Sequence, residues 1–135
     1  MNSLWRIIDA NFNRSREGLR VCEDVARFTF NNSSLSASLK AKRHKLNQIF
    51  FALGKRRRRL LESREADRDV GKKGFIWDQK RATNAALLES NFKRVEEALR
   101  VLEECMKMTA RQLVPKVQAL RFEVYELEKR ALTKF

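Results

Sequence analysis

The chain repeats itself at a fixed interval of 80, and that repeat limits what it can fold into. Asn11-Phe12 falls on Asn91-Phe92, Arg14 on Arg94, Glu17 on Glu97, Leu19-Arg20-Val21 on Leu99-Arg100-Val101 and Glu23 on Glu103. These are eight identities in the eighteen positions 11–28. Both copies lack proline, are rich in Leu, Arg, Glu and Ala, and space their apolar residues by three and four, so both read as helix. A weaker echo at an offset of 78 sets Ala41 on Ala119, Arg43 on Arg121 and Leu46 on Val124. A helix that recurs beside the same second helix predicts a duplicated hairpin. The expected fold is all-α, a pseudo-two-fold four-helix bundle, because neither hairpin can bury its apolar stripe alone.

Caps and breakers set the expected boundaries. A first helix starts at Asn2 or Ser3 and runs to about Phe30; the polar break at 31–34 then caps a second, from Leu35 to about Arg59. A third spans Thr83 or Asn84 to about Thr109, and Pro115 suits the first turn of a fourth that continues towards Lys134. The result is a single domain over 1–135, with repeat one at 2–60, a loop at 61–82 and repeat two at 83–134. That loop is long for a compact bundle, and loops of such length are usually functional lids or mobile linkers.

On a helical wheel with Asn11 at the origin, Leu4, Ile8, Phe12, Leu19, Val21, Cys22 and Phe28 spread on both sides of Asn11. This reading sets Asn11 and Arg14, and likewise Asn91 and Arg94, on core-facing stripes. A buried guanidinium needs an anionic partner. Two partners compete: Glu17 and Glu97 within the chain, or a ligand phosphate or carboxylate held between the repeated helices.

The formal net charge is +13, and 40–59 carries nine basic residues and no acid. Such an excess attracts polyanions, so nucleic acid enters as a candidate partner. Aromatic or glycine-containing recognition signatures are absent, and Lys55 to Arg59 reads as a solvated helix end favoured by the helix dipole. No apolar run reaches the ~18 residues of a membrane helix, and the start has no signal-peptide pattern. Cys22 and Cys105 fall on apolar faces without ligand spacing, which fits free thiols in a reducing cytoplasm. The lone His44 points away from the apolar face of its helix.

The loop offers Asp67, Asp69 and Asp78 as oxygen donors for Mg²⁺, or simply as turn-forming acids in a solvated segment. No glycine-rich phosphate loop, nucleophile elbow or His-Glu-x-x-His occurs, so any phosphate would be held by side chains, chiefly arginines.

The stretches RIIDANFNRSREGLRVCEDVARF, KAKRHKL, DVG, NFKRVEEALRVLEE and LRFEVYELEKR occur in that order. With them the chain resembles the all-helical domain found free-standing or fused to bacterial thiamine-phosphate synthases, a hydroxymethylpyrimidine phosphate kinase-like family of thiamine biosynthesis. Without a synthase barrel, the chain reads as a free-standing version. The resemblance implies transfer of the ATP γ-phosphate to hydroxymethylpyrimidine phosphate, with ATP and Mg²⁺ as cofactors and thiamine-phosphate synthase as a partner. It carries over Asp9, Asn11, Arg14, Glu17, Arg20, Arg43, His44, Asp69, Gly71, Asn91, Arg94, Glu97, Arg100 and Arg121, without a catalytic role for each. The expected phosphate site joins Arg14 and Arg94 with Asn11 and Asn91, with Arg20, Arg100, Arg43 and Arg121 at the rim and Asp69 on a metal. A non-catalytic phosphate-binding or scaffolding domain is the alternative, and a homo-oligomer stays open.

Overall fold

The computed structural model describes residues 2–74 and 80–134. Four long helices carry the chain: α1 (Asn2–Asp24), α2 (Ser33–Ala52), α4 (Asn84–Met106) and α5 (Val114–Leu132), with a short α3 (Arg57–Glu62) between the hairpins. The fold is all-α among the described residues. Polar residues start the helices as their chemistry dictates. The Asn32 side chain accepts a hydrogen bond from Leu35 N, the Thr83 side chain accepts one from Ala86 N, and Pro115 sits in the first turn of α5.

Helix α1 packs most extensively on α4, with α2 and α5 flanking. At their crossing a Cβ on Gly18 would stand 2.7 Å from Val95 Cγ2 and 3.2 Å from the Asn91 carbonyl oxygen. A glycine is therefore what lets the two backbones approach. One contiguous core joins Phe12 and Leu19 to Phe92 and Leu99, with Leu39, Leu46, Leu60 and Val124 closing it from the other helices. Burying a Leu or Phe side chain is worth about 1.5–3 kcal/mol, so this cluster dominates the stabilisation.

The second helix is shorter than its sequence pattern suggests. It ends at Ala52, and Gly54 takes φ 61°, a left-handed conformation open to glycine at no steric cost. The chain turns there and restarts as α3, which lays Leu60 into the core and ends with Ser63 Oγ donating to the Leu60 carbonyl. Lys55 to Arg59 thus does not end α2: it crosses the turn and opens α3. Arg56 Nε donates to the carbonyl of Leu53, the C-cap of α2, but Arg57 to Arg59 open α3 at the positive end of its dipole, which overturns the dipole expectation for them.

Candidate functional site

Arg14 and Arg94 lie on exposed surface, which corrects their expected place in the core. The buried residues of α1 are Trp5, Ile8, Asp9, Asn11, Phe12, Ser15, Gly18, Leu19, Cys22 and Glu23, an arc centred about 70° from Asn11 towards Phe12. Val21, half-buried, and Phe28, exposed, had drawn the expected centre onto Asn11 itself. Asn11 stands at the arc's edge and Arg14 beyond it. The same arc recurs in α4, leaving Asn91 buried and Arg94 outside. Glu17 and Glu97 are exposed too, and among the described residues neither pairs with Arg14 or Arg94. The buried amides look inward: Asn11 Nδ2 donates to the Ile7 carbonyl at 2.8 Å and Asn91 Nδ2 to the Leu87 carbonyl at 2.9 Å.

The other repeated arginines do meet buried carboxylates. Glu23 is buried and receives Arg43 Nε at 2.9 Å, with Arg20 at 3.7 Å from the solvent side. Glu103 is buried and receives Arg121 Nε at 2.9 Å, with Arg100 at 3.5 Å in the position matching Arg20. Arg20, Arg43, Arg100 and Arg121 therefore have partners within the chain. Glu23 and Glu103 were legible as an identity in the echo, and each shares a helical hairpin with a repeated arginine.

A cleft of about 530 Å³ opens where α1 faces the segment after α3. It brings together Asn11, Arg14 and Asp69 from the expected site and adds Arg6, Asp9 and Arg64. Asp9 is buried, and the Arg64 fork holds both its oxygens, Nε to Oδ2 at 2.6 Å and Nη2 to Oδ1 at 3.0 Å. That bond raises the pKa of Arg64 against the effect of burial. Burial lowers the pKa of neighbouring Arg16, with the Asp9 charge opposing the shift, and its guanidinium lies 4.2 Å over the Phe50 ring. Arg6 reaches Glu65 at 3.5 Å, and Asp69 Oδ1 accepts from Gly71 N at 2.8 Å. Arg64 carried no sequence signal: it follows the last periodic turn, and only the Gly54 bend brings it onto Asp9.

Asp9 and Arg64 also line a second cleft, of about 720 Å³, with Phe50, Lys55, Arg57 and Arg58. Arg57 stacks 4.7 Å over Phe51, and Arg58 pairs with Glu62 at 2.7 Å on open surface. Asn91, Arg94, Glu97, Arg100 and Arg121 line neither cleft. His44 is exposed, as its wheel position indicates. Asp67 is exposed on a 3-10 turn, and Asp78 lies outside the described residues.

A different feature sits on the α4–α5 seam. Glu96 is buried beside Glu128, and each leaves its Oε2 buried without a hydrogen-bond partner. Burial and the Glu128 charge push Glu96 up to about 7, while Lys93, 3.4 Å from Glu96 and 3.0 Å from Glu128, pulls the other way. Burial, and then the same two glutamates, push the Cys22 thiol up and hold it protonated.

Together these features define an all-helical bundle protein with two arginine-lined clefts that meet at the Asp9–Arg64 pair. The chain belongs to the ThiD2 family, whose model matches residues 6–130, a hydroxymethylpyrimidine phosphate kinase-like family found within thiamine-phosphate synthases. It is 42% identical over 131 residues to the thiamine-phosphate synthase of Thermosynechococcus vestitus, covering 96% of this chain and 35% of that protein. Against the thiamine-phosphate synthase of Nostoc punctiforme the identity is 36% over 126 residues, covering 93% and 34%. The chain thus spans about a third of the length of these curated relatives. No solved structure matches it. No helix among the described residues is long and apolar enough to cross a membrane.

Proposed function

We propose that this chain acts in thiamine biosynthesis as a kinase, converting hydroxymethylpyrimidine phosphate to the diphosphate with ATP. The observation that carries the reading is the Asp9–Arg64 pair at a cleft that also gathers Asn11, Arg14 and Asp69, in a member of this family. The reaction asks little of a protein. A phosphate monoester has its second pKa near ~6, so the attacking oxygen is already anionic at neutral pH and no general base is required. The task is to bring two anions together and offset their repulsion. Arg14, exposed and without an ion pair among the described residues, would grip the acceptor phosphate. Arg64, fixed by Asp9, would face the phosphoryl group in flight.

Magnesium fits this donor set in company with phosphates. Among the described residues no three His, Cys, Asp or Glu groups converge on one point, and Asp69 supplies one carboxylate at the cleft. Mg²⁺ commonly takes one or two carboxylates plus substrate phosphates, and bound so it would neutralise charge on the transferring group. The same reading takes the bundle as two copies of one hairpin about a pseudo-two-fold axis, supported by the Glu23–Arg43 and Glu103–Arg121 pairs.

The second reading, a phosphate-binding or scaffolding domain that partners thiamine-phosphate synthase, draws on the relatives' being some three times longer than this match. Incubation with hydroxymethylpyrimidine phosphate and Mg-ATP, followed by ³¹P NMR, separates the two. Appearance of the pyrimidine diphosphate and ADP supports the kinase; binding without turnover sinks it in favour of the scaffold.

A further inference from the structure

The two clefts that share Asp9 and Arg64 differ in charge, size and wall chemistry. The cleft at Asn11 is lined by Arg6, Arg14 and Arg64 against Asp9, Glu65 and Asp69, a balance of zero. The cleft at Phe50 is lined by Lys55, Arg57, Arg58 and Arg64 against Asp9 alone, an excess of three positive charges. It is also the larger, about 720 against 530 Å³. Its apolar side carries flat π surface, with Phe50 on the wall and exposed Phe51 adjoining it under the Arg57 guanidinium.

From this asymmetry we infer that the Phe50 cleft is the subsite for a nucleoside triphosphate and the Asn11 cleft the subsite for the phosphomonoester acceptor. The inference rests on the kinase reading and adds to it the place of each substrate. The more anionic ligand seeks the more cationic cleft, and a purine or pyrimidine face stacks on an aromatic ring or a guanidinium plane. Arg58 is released at small cost, since its bond to Glu62 joins two exposed side chains. Arg64 stands where the clefts meet. There the acceptor's phosphate oxygen forms a bond to the γ-phosphorus, and the bond from that phosphorus to the β–γ bridging oxygen breaks. The electron pair leaves on the β-phosphate as nucleoside diphosphate, and no proton moves.

Titration calorimetry with Mg-ATP and with the pyrimidine monophosphate, each alone, on the full chain tests the assignment. The double variant Lys55→Met/Arg57→Met is expected to lose at least about tenfold in nucleotide affinity while keeping acceptor affinity; Arg14→Met should do the reverse. An unchanged melting temperature certifies each fold, and the single variant Arg57→Gln replaces the double one should that fail to fold. If the wild type turns over yet the Lys55/Arg57 variant keeps its nucleotide affinity, the subsite assignment is overturned and the kinase reading stands. If nucleotide binds with the expected variant pattern and no diphosphate forms, the subsite stands and the kinase reading falls. Absence of any nucleotide binding by the wild type overturns both.

Discussion

Glu103 receives the Arg121 guanidinium through both carboxylate oxygens, at 2.9 and 3.3 Å, with both side chains nearly withdrawn from water. Burial acts against the arginine's charge, and hydrogen bonds to Glu103 and Tyr125 outweigh it, so its pKa rises. Removing one member strands the other. Arg121→Met is expected to lose about 3–5 kcal/mol of unfolding free energy in urea, and Arg43→Met a comparable amount through Glu23. Adding Glu103→Gln to Arg121→Met should restore part of the loss, because no lone charge then remains buried. A full-size loss that Glu103→Gln leaves untouched would assign the effect to packing instead.

The α1–α4 crossing depends on one missing methyl group. Gly18→Ala would set a Cβ 2.7 Å from Val95 Cγ2, a short branched side chain with little room to yield. Alanine gains up to about 1 kcal/mol in helix propensity. Overpacking costs about 1–3 kcal/mol, so the variant should be net destabilised in thermal or urea unfolding. Pairing it with Val95→Ala should recover stability relative to Gly18→Ala alone. A Gly18→Ala variant as stable as the parent would mean that the helices separate freely.

Glu96 gives the fold a pH dependence of opposite sign to that of an ion-paired carboxylate. Its folded pKa, about 7, lies above the ordinary value of 4.5. The folded chain therefore binds the proton more tightly, and this stabilisation is complete below pH 4.5 and lost as pH rises through 7. Burial and the Glu128 charge set it and Lys93 opposes them, while Cys22 faces the two glutamates from α1 as a protonated thiol. Glu96→Gln mimics the protonated form. It should match the parent below about pH 4 and exceed it by about 1–3 kcal/mol at pH 8. Equal stability of the two proteins from about pH 4 to about pH 8 would remove the raised Glu96 pKa from the account.

Arg14→Met separates binding from folding. The residue is exposed and unpaired among the described residues, so unfolding without ligand should move by no more than about 0.5 kcal/mol. Formation of the diphosphate should drop by at least about tenfold, read by ³¹P NMR. A destabilised variant that still turns over normally would make Arg14 structural.

The four long helices were legible because periodicity, a cap at Asn32, a cap at Thr83 and Pro115 all agree. Arg14 was misplaced because half-buried Val21 and exposed Phe28, the latter beyond α1, pulled the inferred face towards it. The cleft itself was half visible. Asn11, Arg14 and Asp69 were in view, Asp9 entered through the family resemblance, and Arg64 depended on the left-handed turn at Gly54. Nothing in a periodicity count reveals that a chain doubles back. Glu96 and Glu128 escaped for another reason: in the echo they stand opposite Arg16 and Phe50, so the repeat itself hides what is peculiar to the second half.

The wide π-helical turn at Val25–Thr29 falls between the two stretches of the sequence echo, where its offset changes. The echo slips from 80 along the first helix of each half to 78 along the second, so the first half holds two more residues between them. An insertion inside an α-helix rotates the rest of that helix by about 100° per residue. Here Phe30 N bonds back to Val25 O, Asn32 N to Ala26 O, and Asn31 turns left-handed before α2 begins. The π-helical turn widens the end of the first helix, and the break at 30–32 lets α2 start with a phase of its own. A widened turn followed by a break is a shock absorber for length: residues added there need not disturb the register of the helix that follows.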